Sequence, residues 1–167
     1  MSTELVIVIC FLLLMLGAVA ISKQWITKSI NEQALGATKA SRNIVMPLRL
    51  QAYERMALFL ERIDPNQLVL RIHAPGLTVE EEQNLLMTAI RSEYEHNISQ
   101  QIYISNEVWK SVTDAMDDVI TIINTVAEQM DNFEGMNYAE AILTVAAEKP
   151  IITRAMQVLK ADMQRFF

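Results

Sequence analysis

Glu93 and His96 are the residues of this sequence whose types and spacing most suggest chemistry. A Glu-x-x-His spacing places a carboxylate and an imidazole on one helix face, as in the ligand sets of di-iron bundles. Those sites need a second copy of the motif, but the other histidine, His73, has Leu70 at the matching position. A mononuclear site formed by Glu93, His96 and His73 is the remaining metal-binding alternative. Because two separated histidines are usually surface residues, we expect no metal and no cofactor.

Covalent catalysis has no matching motif in the sequence. There is no G-x-S-x-G nucleophile elbow and no glycine-rich phosphate loop. The single cysteine, Cys10, lies inside an apolar run, where packing is its expected role. We therefore expect that the protein is not an enzyme.

Aromatic side chains are the candidates for binding a partner. Tyr94, Tyr103 and Trp109 occur close together in the sequence, and they either line a small groove or pack in the core. Phe166 and Phe167 either fold back onto the domain or dock on a partner or a membrane surface. We take Tyr103, Trp109, Phe166 and Phe167 as the candidate partner-binding residues.

The elements that would position these residues begin with a hydrophobic segment. Residues 5–21 form an uncharged run of 17 residues, about the minimum for a helix that crosses a bilayer. We predict a short external segment at residues 1–4 and a transmembrane helix over residues 5–22, with Trp25 at the headgroup level. The alternative is a cleaved signal peptide, because residues 18–20 match the small-x-small cleavage pattern. The predicted anchor residues are Leu5, Ile9, Leu13, Leu16, Ile21 and Trp25.

Charge is strongly sorted along the chain. Residues 23–72 contain eight Lys or Arg and four Asp or Glu, whereas residues 73–149 contain three and fourteen. Because a positive flank stays on the cytoplasmic side, we expect a plasma (inner) membrane protein with its N-terminus outside and its C-terminal domain in the cytoplasm. The basic part should lie next to anionic headgroups. The acidic part argues against nucleic-acid binding, which needs a contiguous basic surface.

The residues after the apolar run have helical patterns. Residues 23–40 are expected to form a membrane-proximal tether or helical extension, and residues 41–167 a soluble bundle of about four to six helices, in an all-α protein. Thr78 with Glu81 predicts a capping box, and Ser105 is the predicted N-cap of a long central helix. Residues 68–72 form either part of a short helix or a strand. The apolar positions of the first bundle helix are Ile44, Leu48, Tyr53, Met56, Leu60 and Ile63, and those of the central helix are Val108, Val112, Ala115, Val119, Ile122 and Val126.

Several short motifs carry a family resemblance: RIDP at residues 62–65, LR at 70–71, PGL at 75–77, HNISQQ at 96–101, and Trp109. On these motifs the chain resembles an uncharacterised bacterial family of single-pass membrane proteins with a helical domain of unknown function. The resemblance covers about residues 41–130. It implies an N-terminal membrane helix and a helical domain, and it brings no known activity or site residue.

The anchor, the heptad-spaced central helix and the missing catalytic motifs favour a membrane-anchored, non-enzymatic accessory or scaffold subunit. Its expected partners are the lipid bilayer and other subunits of a membrane complex, or a second copy of itself, and not nucleic acid. The alternative function is a module that senses a small ligand or a metal. In that case Glu93, His96 and the aromatic residues Tyr94, Tyr103 and Trp109 would form its pocket.

Overall fold

The computed structural model describes residues 15, 17, 22–25, 43–133 and 135–166. The chain divides into two compact units, Met1–Met46 and Pro47–Phe167. In the first unit the described residues are helical, and the side chain of Trp25 is 77% exposed. The other predicted anchor residues, Leu5, Ile9, Leu13, Leu16 and Ile21, lie outside the described residues.

Membrane spans were predicted at one place in the chain, residues 5–22. Among the residues that the structure describes, no helix is long and apolar enough to cross a bilayer. The predicted span falls almost entirely outside that part of the chain, so the anchor stays a prediction.

Helices account for nearly all of the second unit. Within residues 43–133 and 135–166 there are six α-helices and no strand, which confirms the all-α prediction and the expected number of bundle helices. Residues 68–72 are helical, so the strand alternative is wrong. Short 3-10 segments occur at Ile98–Ile102 and Met130–Asn132. The α-helices are α1 (helical residues 43–63), α2 (Pro65–Ile72), α3 (Val79–Asn97), α4 (Asn106–Glu128), α5 (Tyr138–Ala147) and α6 (Ile151–Gln164).

Local sequence sets where two of these helices begin. The Thr78 hydroxyl accepts a hydrogen bond from the Glu81 backbone N–H at 3.2 Å, and the Glu81 carboxylate accepts one from the Thr78 backbone N–H at 2.9 Å. The Thr78 N–H and hydroxyl lower the pKa of the Glu81 carboxyl. Before this capping box, Gly76 adopts a φ of 91°, which a side chain would disfavour. Ser105 caps α4 by accepting from the Val108 N–H at 3.2 Å. Both predicted caps are confirmed.

The core is organised around α4, which contacts α3, α5 and α6. Its predicted apolar positions are all buried: Val108, Val112, Ala115, Val119, Ile122 and Val126. Asn124 of α4 is half-buried and accepts a hydrogen bond from the Gln83 side chain at 3.0 Å, which links α3 to α4.

Helix α1 runs antiparallel to α3. Near the end of α1, the Arg62 Nη1 atom lies 2.8 Å from the Glu93 Oε1 atom of α3. Near its start, the Arg49 Nε–H donates to the backbone carbonyl of Tyr103, which lies beyond the end of α3, at 3.0 Å. The two contacts fix the relative direction of the helices.

Helix α1 is also antiparallel to α6. Tyr53 contacts Asp162, and four residues earlier in α1 the Arg49 side chain contacts Phe166. One end of the second unit therefore contains the α1 residues that follow Pro47, the segment Ile98–Ile102, the start of α4 and the end of α6. We call it the Pro47 end. The opposite end, which contains α2, the start of α3 and the end of α4, is the α2 end.

Candidate partner-binding surface

A groove of about 430 Å³ lies between α1 and the C-terminal half of α3. Four residues of its α1 wall are spaced four, three and four apart, and this spacing keeps them on one face of the helix, opposite the buried Met56 and Leu60. We call this cavity between the two helices the α1–α3 groove. The α1 wall is lined by Gln51, Arg55, Leu58 and Arg62, with Glu54 beside them, and the α3 wall by Ser92, Glu93, His96 and Asn97.

The ion pair between Arg62 and Glu93 crosses this groove. The Arg62 backbone carbonyl also accepts a hydrogen bond from the Arg71 guanidinium of α2 at 3.1 Å. Because an exposed ion pair contributes about 0 to 1 kcal/mol, the pair fixes the register of α1 against α3 more than it stabilises the fold. By contrast, the side chains of Glu54 and Arg55 make no hydrogen bond or ion pair within residues 43–133 and 135–166.

The three residues of the alternative metal site, Glu93, His96 and His73, do not converge. The structure places Glu93 and His96 on the same wall, but Glu93 faces Arg62, and the His96 Nδ1–H donates to the Ser92 carbonyl at 2.6 Å. His73 lies at the other end of the unit, after α2. Among the described residues, no group of three or more His, Cys, Asp or Glu side chains is placed to hold a metal ion.

His73 instead belongs to a polar joint that the sequence did not predict. Its Nδ1 atom lies 2.8 Å from the Oε1 atom of Glu82, a carboxylate that is only 3% exposed. Burial raises the pKa of the nearby Tyr138 hydroxyl, and the charge of Glu82 adds to the rise. That hydroxyl donates to the Ile123 carbonyl at 2.7 Å. The joint ties together α2, α3, α4 and α5.

The aromatic residues Tyr94, Tyr103 and Trp109 are all half-buried against the core. The rings of Tyr94 and Trp109 have centroids 5.9 Å apart and are tilted by 32°, an arrangement in which aromatic rings attract each other. Tyr103 contributes its carbonyl to the Arg49 contact. The structure thus brings Tyr94 and Trp109 together, and the partner-binding role of Tyr103 and Trp109 stays a prediction.

Phe166 folds back onto the bundle. Its ring meets the Tyr53 ring edge-on, with centroids 6.0 Å apart, and the Arg49 guanidinium lies 4.0 Å from its centroid. This is the first of the two alternatives that the sequence left open for the Phe166–Phe167 pair. Phe167 lies outside the described residues, and the predicted role of both residues in partner binding stays a prediction.

Asp162 anchors the same region from α6. Its buried carboxylate accepts a hydrogen bond from the Tyr53 hydroxyl and another from Arg165 at 3.2 Å. Burial, together with this hydrogen bond to Asp162, raises the pKa of Tyr53 to about 12. We call the set Arg49, Tyr53, Asp162 and Phe166 the α1–α6 clasp.

Large apolar side chains are exposed at several places, including Leu70 on α2 and Leu85 on α3, and two of these places adjoin the features described above. Leu58, 49% exposed, lies in the wall of the α1–α3 groove. Leu48, Leu50, Ile98 and Ile102 are exposed at the Pro47 end. Exposed groups of large apolar residues mark interaction sites more often than single ones do.

The sequence matches a family of unknown function, DUF7935, over residues 1–166. The match extends beyond the residues 41–130 that carried the family resemblance, and it confirms that the relatives are uncharacterised. The bacterial source and the membrane helix of that resemblance stay predictions. No curated protein matches the chain. No solved structure matches it either.

Proposed function

The chain belongs to the family of unknown function DUF7935, and we propose that it is a membrane-anchored, non-enzymatic accessory or scaffold subunit. Its second unit binds another protein subunit, or a second copy of itself, through the α1–α3 groove. The observation that carries the proposal is the composition of that groove. An exposed leucine, Leu58, lies among charged side chains that have few partners of their own.

This composition resembles the anatomy of a protein–protein interface. Such interfaces have an apolar centre that excludes water and a polar rim that fixes orientation. In the α1–α3 groove Leu58 supplies the apolar centre, and Glu54 and Arg55 supply rim charges of both signs that a partner can pair. Rim charges of both signs select a partner with the complementary pattern.

The membrane part of the proposal comes from the sequence. The apolar run at residues 5–21 and the basic residues that follow it support an N-terminal anchor with the second unit on the cytoplasmic side. A tethered unit meets membrane-bound partners at a high effective concentration, so a groove of modest size is sufficient for assembly.

Site-specific photocrosslinking in the native host tests the groove. A photoreactive amino acid replaces Leu58 in one variant and Leu85 in a matched control, because Leu85 on α3 is 46% exposed but does not line the groove. We expect a crosslinked product of defined mass at position 58 and none at position 85. Mass spectrometry of that product distinguishes a second copy from another subunit.

A substitution pair completes the test. Leu58→Asp should abolish copurification of the crosslinked partner in mild detergent, whereas Leu85→Asp should leave it intact, because only the first places a charge in the apolar centre. Circular dichroism of both variants checks that the helices remain folded. A monomeric wild-type protein with no crosslink at position 58 would refute the proposal.

A small-ligand sensor is the second candidate function, and one observation favours it. The α1–α3 groove has a volume within the range of small-molecule sites, about 300 to 1,000 Å³, and it contains Glu93 and His96. Thermal-shift screening of the full chain against metabolite and metal libraries tests this candidate. A ligand whose stabilisation disappears in Arg62→Ala, but not in Arg91→Ala outside the groove, would favour the sensor over the scaffold.

A further inference from the structure

The Pro47 end exposes apolar side chains at a turn. Ile102 is 73% exposed, and Ile98, one turn earlier in the same 3-10 segment, is also exposed. Leu48 and Leu50 on α1 are also exposed. They lie near this segment, because the side chain of Arg49 between them donates a hydrogen bond to the Tyr103 carbonyl. Four large apolar residues on one end of a helical bundle are therefore presented to the surroundings.

Charge is distributed unequally between the two ends of the unit. At the Pro47 end, Arg165 pairs with Glu107 at 3.5 Å and with Asp162 at 3.2 Å, and the Arg49 guanidinium lies over Phe166. The opposite end contains exposed acids at the start of α3, at the end of α4 and at the start of α5. They are Glu80, Glu81, Glu128, Asp131 and Glu140. An anionic surface would therefore repel the α2 end more strongly than the Pro47 end.

The chain connects the Pro47 end to the predicted anchor. Residues 22–46 separate the apolar run at residues 5–21 from the second unit, and an extended chain of that length reaches at most about 90 Å. A weak apolar contact becomes well populated when a tether holds both surfaces within such a distance.

We propose that the Pro47 end is a second membrane contact, in which Ile98 and Ile102 enter the headgroup region of an anionic phospholipid bilayer. The proposal rests on the membrane anchor of the proposed function and adds an orientation to it. The bundle stands on its Pro47 end, with the acidic α2 end directed away from the lipid. Apolar side chains at a bilayer interface gain by leaving water, and the charge distribution selects which end does so.

Lipid-quenching measurements on the full chain test this contact. With Cys10 replaced by Ser, a single cysteine at position 102 carries an environment-sensitive fluorophore. Position 70 is the matched control, because Leu70 is 77% exposed and lies on α2, at the other end. The protein is reconstituted into vesicles of phosphatidylcholine and phosphatidylglycerol, with and without nitroxide-labelled lipid. We expect a blue shift and a loss of fluorescence for the label at position 102, and neither for the label at position 70.

The outcomes separate this proposal from the proposed function. Flotation of the same vesicles after a high-salt wash reports the anchor. If the protein floats but the label at position 102 shows no more blue shift or lipid quenching than the label at position 70, the membrane contact is overturned and the anchor stands. Protein that does not float overturns both. Energy transfer between labels at position 102 on separate molecules, without lipid quenching, would assign the surface to a second copy and overturn the contact.

Discussion

Replacing Tyr53 with Phe removes one hydroxyl from the α1–α6 clasp and leaves the ring in place. The lost interaction is the hydrogen bond to the buried carboxylate of Asp162. Hydrogen bonds to charged groups contribute about 1.5 to 3 kcal/mol, and Asp162 keeps its second donor, Arg165. The phenyl ring left at position 53 would retain the edge-on contact with Phe166, so no cavity forms. We therefore expect a decrease of about 2 kcal/mol in the free energy of unfolding.

The assay is equilibrium urea unfolding of the full chain in mild detergent, followed by circular dichroism. A loss of that size lowers the melting temperature by about 5 to 10 °C in a domain of this length. Tyr103→Phe is the control, because the Tyr103 hydroxyl makes no hydrogen bond within the described part of the chain. Its free energy of unfolding should change by less than about 0.5 kcal/mol.

The difference in stability between wild type and Tyr53→Phe should also depend on pH. The pKa of Tyr53 is raised to about 12 in the folded protein, against about 10 in an unfolded chain. A raised folded-state pKa gives stability that is fully present below the unfolded value, and this stability is lost as the pH rises through the folded value. The difference between wild type and Tyr53→Phe should be constant below about pH 10 and shrink from about pH 10 to 12. Tyr138 is present in both proteins, so its titration contributes equally to both and does not affect the difference.

Two results would refute this reasoning. One is a Tyr53→Phe protein as stable as Tyr103→Phe. The other is a difference from wild type that stays constant up to pH 12.

The other predictions concern the polar joint, a helix cap and a turn. His73→Ala should lower the free energy of unfolding by about 2 kcal/mol, because the buried Glu82 carboxylate loses its partner. In a double-mutant cycle with Glu82→Gln, the double variant should lose less free energy of unfolding than the sum of the two single-variant losses. Additive losses would contradict a direct interaction. Ser105→Ala should cost about 1 kcal/mol in urea unfolding through loss of the α4 cap. Gly76→Ala should cost about 1 kcal/mol because φ at this position is positive, and an unchanged melting temperature would argue against that turn geometry.

Short-range sequence patterns predicted much of this fold. The heptad spacing of α4 identified all six of its predicted core positions, and the capping box at Thr78 identified the start of α3. These features depend on residues three or four apart, whose interactions a helix determines by itself. Ile44 and Leu48 are the exceptions. Their spacing placed them on the apolar stripe of α1, but they are exposed.

The polar contacts were missed because their partners are distant in sequence. Glu82 lies four residues before Leu86, which places it on the buried face of α3. Asp162 likewise follows Leu159 by three residues on the buried face of α6. Periodicity could have identified both as buried. It could not have identified His73 or Tyr53 as their partners, because no local rule relates residues on different helices.

The α1–α3 groove also combines a feature that local spacing predicts with a contact between residues distant in sequence. The outward stripe that contains Leu58 and Arg62 could be predicted from the spacing of α1. The pairing of that stripe with Glu93 depends on the antiparallel packing of α1 against α3, and only the structure shows it.

The α1–α6 clasp also orders events during synthesis. Tyr53 and Asp162 are 109 residues apart in sequence, so α1 emerges from the ribosome long before the segment that completes its packing. Until α6 has been translated, Tyr53 and Arg49 lack the contacts that they make with it in the finished fold. Contacts of such long range slow folding and leave apolar surface uncovered in the interval. A nascent chain stalled before residue 162 should therefore expose α1 to chaperones and proteases, and release of the finished chain should protect it.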